Sequence, residues 1–300
     1  MSRAAAERPA IALQRTGRRP RRRWPEPASI VRALVLLLFF AITAYPILLV
    51  VSTAFKNPLD VTLDPFSLFS SFHPQNFVDA WNEGGFQHYF VTTVIITVPS
   101  VLGIVALSTL AGYALARVAF PGRSIVFFTI MLGLMIPFFS YMIPLFFELK
   151  TLHLLNHKLG VILAIIAGAT GTGLPLGVFL MRAFFYDLPN ELADAGRVDG
   201  ASEWGVFRHV MLPLAMPGAG VLAVLTFFAT WNVFIVPLLY LPGQENRTLA
   251  TGIYLFTSGR TQEVNLAAAG TLIMTIPVVV LFLLFQRQFI RGLTVGAVKG

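Results

Sequence analysis

Few residues in this 300-residue chain could do chemistry, and each fails a specific requirement. His153 and His157 stand four apart, as two imidazoles sharing a metal ion on one helical turn would. All five histidines (His73, His88, His153, His157 and His209) nevertheless fall in loops or at the ends of apolar segments, and the pair reads as solvent-facing. A phosphate loop of the GxxxxGK[ST] type needs a lysine directly after a glycine. Lys56, Lys150, Lys158 and Lys299 follow Phe55, Leu149, His157 and Val298, so none qualifies. The glycine-rich run from Gly168 to Gly173 lacks a lysine and reads as close helix packing by small residues. With no cysteine there is no thiol or disulfide chemistry. The expectation is a chain with no catalytic residue, no bound cofactor and no metal.

One cluster of another kind remains. Asp187, Glu191, Asp194, Asp199 and Glu203 crowd into 17 residues of the segment Asp187–Pro213, which lies between strongly apolar stretches. Pro189 suits the first turn of a helix, Asp187 can accept its orphan N–H bonds, and Glu191 and Asp194 lie where the helix dipole favours negative charge. That helix would run through Arg197, with Leu192, Ala195 and Val198 on one side, until Gly200 lets the chain turn. Ala195, Gly196, Gly200 and Ala201 are small enough for a partner surface to approach closely. A second short helix is expected from about Ser202, presenting Trp204, Phe207 and Met211 and stopping before Pro213. The competing reading is an amphipathic segment on lipid headgroups, which its acids disfavour because the inner leaflet is itself negative.

The elements that must hold this segment are membrane helices. A hydrophobic fraction of 56% against 12% charged residues exceeds what one globular core hides. Six stretches reach the roughly 20 apolar residues a crossing needs, at 31–52, 89–116, 124–147, 159–181, 217–241 and 265–286. They are continuous rather than alternating, so the fold class is all-α and polytopic rather than a barrel. Pro46, Pro99, Pro137, Pro144, Pro175, Pro237 and Pro277 lie inside them and are expected to kink or break the helices. No ionisable side chain occupies the middle of any span, which disfavours an ion-coupled transporter and an intramembrane protease.

Orientation follows from Lys and Arg. With the N-terminus inside, 17 of the 22 basic residues become cytoplasmic, leaving Lys56, Lys150, Lys158, Arg247 and Arg260 outside. Six spans then run N-in/C-in, and the acidic segment faces the cytoplasm. Most of the net charge of +8 comes from the Arg-rich tail at 1–28, which reads as a disordered topology anchor; nucleic acid is not expected as a partner. A signal peptide is the alternative for this end, but the apolar run is long for one, and it is kept as the first span. The expected layout is the tail at 1–28, a six-span domain at 29–288 with the acidic loop at 182–216, and a C-terminal tail at 289–300 in the cytoplasm.

The loop carries a resemblance. Asp194-Ala195-Gly196, then Gly200, then Val210-Met211-Leu212-Pro213 resembles, at the same spacing, the "EAA" loop of ABC importer permeases that work with a solute-binding protein. Asp194 stands where Glu is usual, and Gly196 where Ala is usual; the glycine weakens a helix by about 1 kcal/mol. Ala111-Gly112-Tyr113-Ala114-Leu115-Ala116-Arg117, Val198-Asp199-Gly200-Ala201-Ser202, Trp231-Asn232 and the ending Gly292–Gly300 are similar to the carbohydrate-type, MalG-like subgroup. The resemblance implies a MalG-like type I importer permease fold in the bacterial inner membrane. It implies four kinds of partner: a second permease chain, two cytoplasmic ATPase subunits that hold ATP and Mg2+, an extracytoplasmic binding protein, and membrane lipid. It implies that the loop, with Glu191, Asp194, Ala195, Gly196, Asp199, Gly200, Ala201, Val210, Leu212 and Pro213, docks on an ATPase. Trp231, Asn232 and Phe234 are candidates for a sugar path, through a stacking indole and a hydrogen-bonding amide. An interhelical Asn bond and a packed indole compete with that reading. A glycerol-phosphate-like solute, or a non-transporting scaffold role, stays open.

Overall fold

The computed structural model describes residues 27–258 and 263–297, which contain helices and no strand. The tail up to residue 26, Arg260 and Lys299 lie outside the described residues. Two units are distinguished, residues 1–47 and 48–300. The first contains most of α1 (Pro27–Ala54), which is apolar on every side, as a helix surrounded by hydrocarbon must be.

The second unit begins with two short helices. Asn57 starts α2 (Pro58–Leu63) by accepting the Asp60 N–H at 2.7 Å, and α3 (Gln75–Asn82) follows. The central element is α4 (Phe86–Arg117). Next come α5 (Arg123–Met135), α6 (Phe138–Thr151), α7 (Lys158–Ala167) and α8 (Leu174–Asp187). The acidic segment supplies α9 (Asn190–Val198) and α10 (Glu203–Val206), and a π-helical turn (Phe207–Met211) leads without interruption into α11 (Leu212–Trp231). The last described helices are α12 (Ile235–Tyr240), α13 (Leu249–Ser258) and α14 (Val264–Ala297).

Among the described residues, four helices are each long and apolar enough to cross a membrane: α1, α4, the continuous α10–α11 run, and α14. The bent pair α5–α6 makes a fifth if counted as one. The other three expected stretches are apolar throughout but are each divided between two helices. The stretch 124–147 turns through 100° at Ile136-Pro137, because proline forces the residue before it into extended backbone, here φ −88° and ψ 111°. The stretch 159–181 opens between α7 and α8, where Gly168 (φ 127°) and Gly171 (φ 75°) adopt conformations that side chains rarely allow. The stretch 217–241 pauses at Asn232–Phe234, where the Asn232 side chain donates to the Phe228 carbonyl at 2.8 Å. Of the prolines expected to kink or break helices, Pro46, Pro99, Pro144 and Pro277 lie within continuous ones, Pro175 is in the first turn of α8, and Pro237 is inside α12. Pro137 alone among them sits at a break.

Hydrogen bonds sort the helix ends into two groups. In one, Asn76 donates to the Ala54 and Lys56 carbonyls at 2.9 and 2.8 Å and accepts from Asn265 at 3.1 Å, tying the end of α1 to the start of α14. The same group holds the start of α4, where His88 meets the Glu245 carbonyl, and the start of α7, where Lys158 donates to Asn246 at 2.8 Å. Asn156 donates to Glu245 at 2.9 Å and accepts the Gly243 N–H at 2.9 Å. The Glu245 carboxyl is held below its ordinary range, first by its own backbone N–H and then by Asn156. In the other group, Arg117 at the end of α4 donates to the Phe185 carbonyl of α8 at 2.9 Å, and the Arg182 guanidinium lies 4.1 Å over the Phe127 ring of α5.

Between these groups α4 and α8 pack through small residues. A Cβ added at Gly112 would stand 2.7 Å from the Met181 Cβ, and one at Gly177 would stand 2.8 Å from the Ser108 Cβ. Ser108 and Gly112 face Gly177 and Met181, each pair four residues apart, which is how helices approach closely where lipid supplies no hydrophobic drive. Gly112→Leu is expected to lower the thermal unfolding midpoint in detergent, a cost of about 1–3 kcal/mol or more from overpacking. Gly220→Ala, whose new Cβ would have nothing beyond its own helix backbone within 4 Å, should hold the midpoint or raise it. Equal loss in both would show that the α4–α8 contact is not the tight one.

Candidate functional site

The acidic segment is a folded knob with two distinct sides. Its first helix begins at Asn190, with Pro189 at the N-cap, and Asp187 is the last residue of α8. Ala193, 2% exposed, packs in the same apolar cluster as Val206, Phe207 and Met211, with Val210 and Leu212 against its edge. Glu191, Asp194, Ala195, Asp199 and Ala201 are exposed, and so are the apolar Leu192 and Val198, the latter at 87%. The expected side formed by Leu192, Ala195 and Val198 is therefore turned to the outside, and Ala193 and Gly196 are the residues that face the chain's own core.

Three features set the shape of the knob. Gly200 takes φ 82° in the turn between α9 and α10, and Ser202 caps α10 by accepting the Gly205 N–H at 3.2 Å. Arg197 reaches across that turn, donating to Asp194 at 2.7 Å and to Glu203 at 2.7 and 3.3 Å, and these hydrogen bonds, Glu203 first, raise its pKa. All three side chains are well exposed, so each pair contributes about 1 kcal/mol or less. Aromatic rings fill the base, with Tyr113 5.4 Å from Phe185 and 4.9 Å from Phe207, and Trp204 5.1 Å from Phe207.

The second helix does not stop before Pro213. In the π-helical turn the Leu212 N–H bonds the Phe207 carbonyl, five residues back, and Pro213 sits exposed in the first turn of α11. A proline ring collides with the carbonyl four residues before it, and the wider π turn relieves that clash without ending the helix. The knob is thereby continuous with a helix reaching Trp231.

The three interrupted helices share a second feature. A cavity of about 470 Å³ is lined by Gly133 and Pro137 at the α5–α6 bend, by Gly168 and Thr170 in the α7–α8 gap, and by Phe138 and Phe234. No residue in its lining is charged. Phe234 is thus in the wall, while Asn232 is exposed beside it and spends its amide on Phe228. Trp231, 3% exposed, donates its indole N–H to the Met274 carbonyl at 3.0 Å and stacks on Phe227. Sequence reasoning missed the cavity. Its signal was the glycine run, read as packing between helices, whereas the close approach is of the loop to itself: a Cβ at Gly173 would lie 2.6 Å from the Ile166 carbonyl oxygen.

Comparison with known proteins matches residues 106–295, which include both the knob and the cavity, to the family described as the binding-protein-dependent transport system inner membrane component. The chain belongs to this family. It is 32% identical to the diacetylchitobiose uptake system permease protein NgcG of Streptomyces coelicolor, over 91% of this chain and 89% of that one. It is 34% identical to the probable ABC transporter permease protein YurM of Bacillus subtilis, over 94% and 92%. It is 35% identical to the arabinooligosaccharides transport system permease protein AraQ of Halalkalibacterium halodurans, over 86% and 92%. The protein is a multi-pass inner-membrane permease, a transport subunit rather than an enzyme.

One departure of the knob from the family's loop pattern yields a prediction. A Cβ on Gly196 would meet Val206 at 3.4 Å and Val210 at 3.5 Å, ordinary contact distances. Gly196→Ala is expected to stabilise the protein by about 0.5–1 kcal/mol, read as a higher unfolding midpoint of the purified chain. A lower midpoint would show that the α9–α10 contact has no room for a methyl group.

Proposed function

We propose that this permease subunit moves a neutral sugar or oligosaccharide inward across the bacterial inner membrane, driven by separate ATPase subunits that engage the knob. In this reading the chain makes six crossings, α1, α4, α5–α6, α7–α8, α11–α12 and α14, with both ends in the cytoplasm. The two groups of helix ends support the inner part of that count, because the ends from Ala54 of α1 to Val264 of α14 alternate between them. The group holding Arg117 and Arg182 is taken as cytoplasmic, since Arg123, Arg197 and Arg208 also lie on its connections. Glu191, Asp194, Asp199 and Val198 would then face an ATPase cleft, with Gly200 supplying the tight corner. A second permease chain would complete the pore, and a binding protein would deliver the solute on the far side. ATP and Mg2+ would be held by the ATPases alone.

The observation that carries the substrate class is the uncharged cavity where three helices break. Broken helices in transporters leave backbone donors and acceptors near a binding site, and here ends of both signs adjoin aromatic rings. That combination suits a ligand with many hydroxyls and apolar faces, and it gives a phosphate no cation to pair with. Two of the relatives above carry diacetylchitobiose and arabinooligosaccharides in their names, which supports a sugar over glycerol phosphate. Transport also fits the cavity better than a scaffold role does. Phe234 and Asn232 remain the proposed path residues, with Trp231 supporting the wall.

The test is uptake by the complete complex in proteoliposomes. Unlabelled oligosaccharide is expected to compete with labelled sugar, and glycerol phosphate is not. Phe234→Ala should reduce uptake by about tenfold, the loss of one good stacking contact, while sugar affinity of the binding protein stays fixed. Uptake of glycerol phosphate, or full sugar uptake by Phe234→Ala, would reject this substrate assignment.

A further inference from the structure

We infer that Arg117 is the positioning residue that ties the ATPase-facing helix α9 to the rigid α4–α8 pair. Its guanidinium Nε donates to the Phe185 carbonyl at 2.9 Å, one terminal nitrogen donates to the carbonyls of Phe185 and Leu188, and the other donates to the side-chain oxygen of Asn190. One planar fork thus spans three structures: the last turn of α8, the linker after it, and the first residue of α9. These carbonyls lie at a helix end, where the Phe185 oxygen otherwise accepts only the Leu188 N–H at 3.3 Å, and a cation suits that end of the dipole.

The place of this contact makes it mechanical. Arg117 ends α4, and α4 is locked on α8 by the Gly112–Met181 and Ser108–Gly177 approach, so the fork projects from a body that does not yield. Helix α9 is joined differently to α10 and α11, through the Arg197–Glu203 bridge and the packing of Ala193 in one cluster with Val206. A displacement of α9 therefore has two outlets, α11 through the continuous helix and α4–α8 through Arg117. Both must move together if the two sides of the cavity are to shift as one, since Gly168 and Pro175 belong to the α7–α8 side and Phe234 follows α11. Lysine cannot replace the fork, because an ammonium is a point donor without the planar, multi-pronged geometry.

This inference rests on the proposed coupling to ATPases, and the experiment separates the two. In proteoliposomes holding both permease chains, the ATPases and the loaded binding protein, wild-type uptake must depend on ATP; failure there rejects the coupling reading itself. With that established, Arg117→Met and Arg117→Lys are expected to keep hydrolysing ATP while uptake per ATP falls about tenfold or more, since the loss of even one charge-assisted hydrogen bond is worth about that much. Asn190→Ala removes only the contact to α9 and leaves the α8 carbonyls capped, so it decides the matter if the Arg117 variants do not assemble. It should lower uptake per ATP by about threefold or more, and combining it with Arg117→Met should add nothing, as for two residues in one contact. A ratio within about twofold of wild type for Asn190→Ala, full rescue by lysine, or multiplying losses in the double variant would overturn the assignment.

Discussion

Inside a bilayer no water is available to take a backbone hydrogen bond, and this constraint governs the chain. Uninterrupted helices satisfy it internally, which is why α4 can hold Pro99 and α14 can hold Pro277 without stopping. Where a helix does stop, its freed donors and acceptors must find protein, a ligand or a water-filled space. The three interruptions, at Pro137, at Gly168–Gly173 and at Asn232–Phe234, border one cavity instead of being scattered over the lipid surface. The same requirement explains the π turn, which carries Pro213 without ending the helix, and the Arg117 fork, which takes the carbonyls at the end of α8.

The architecture that results separates two tasks. Close packing of α4 on α8 through glycine and serine makes a stiff unit, and the knob is a small folded extension fastened to it and to α11. In the proposed cycle, ATPase closure moves the knob, and the cavity changes because its walls belong to the helices the knob grips. The chain needs no catalytic residue for this, only rigid links between one surface and another. Exposed apolar Val198 and Leu192 set among carboxylates give that surface both burial and charge to offer a partner.

Much of this was legible in sequence, and the unreadable part has a physical cause. Long apolar runs identified α1, α4 and α14, and the unusual density of acids marked the knob before any comparison. Of the small residues at 195, 196, 200 and 201, Gly196 turns inward to Val206 and Val210 and the other three lie on the outside. The breaks were harder. Proline signals a kink or a break without saying which, and of the seven only Pro137 stands at a break, while positive-φ glycines at 168 and 171 opened another helix. A π turn leaves no periodic trace in five residues, so Pro213 looked like a stop. Trp231 illustrates the remaining limit: an indole reads alike whether it faces a sugar or, as here, a Met274 carbonyl.

The central claim is that the outward side of α9 touches an ATPase and that the contact changes during turnover. Because the chain has no cysteine, Val198→Cys gives a single attachment point for a short bifunctional cross-linker on the assembled, reconstituted complex. Cross-linking to a cysteine-bearing ATPase should be efficient, should differ between nucleotide-free and ATP-trapped complexes, and should block uptake until the link is cleaved. No cross-link in either state, from a complex that still transports, would contradict it.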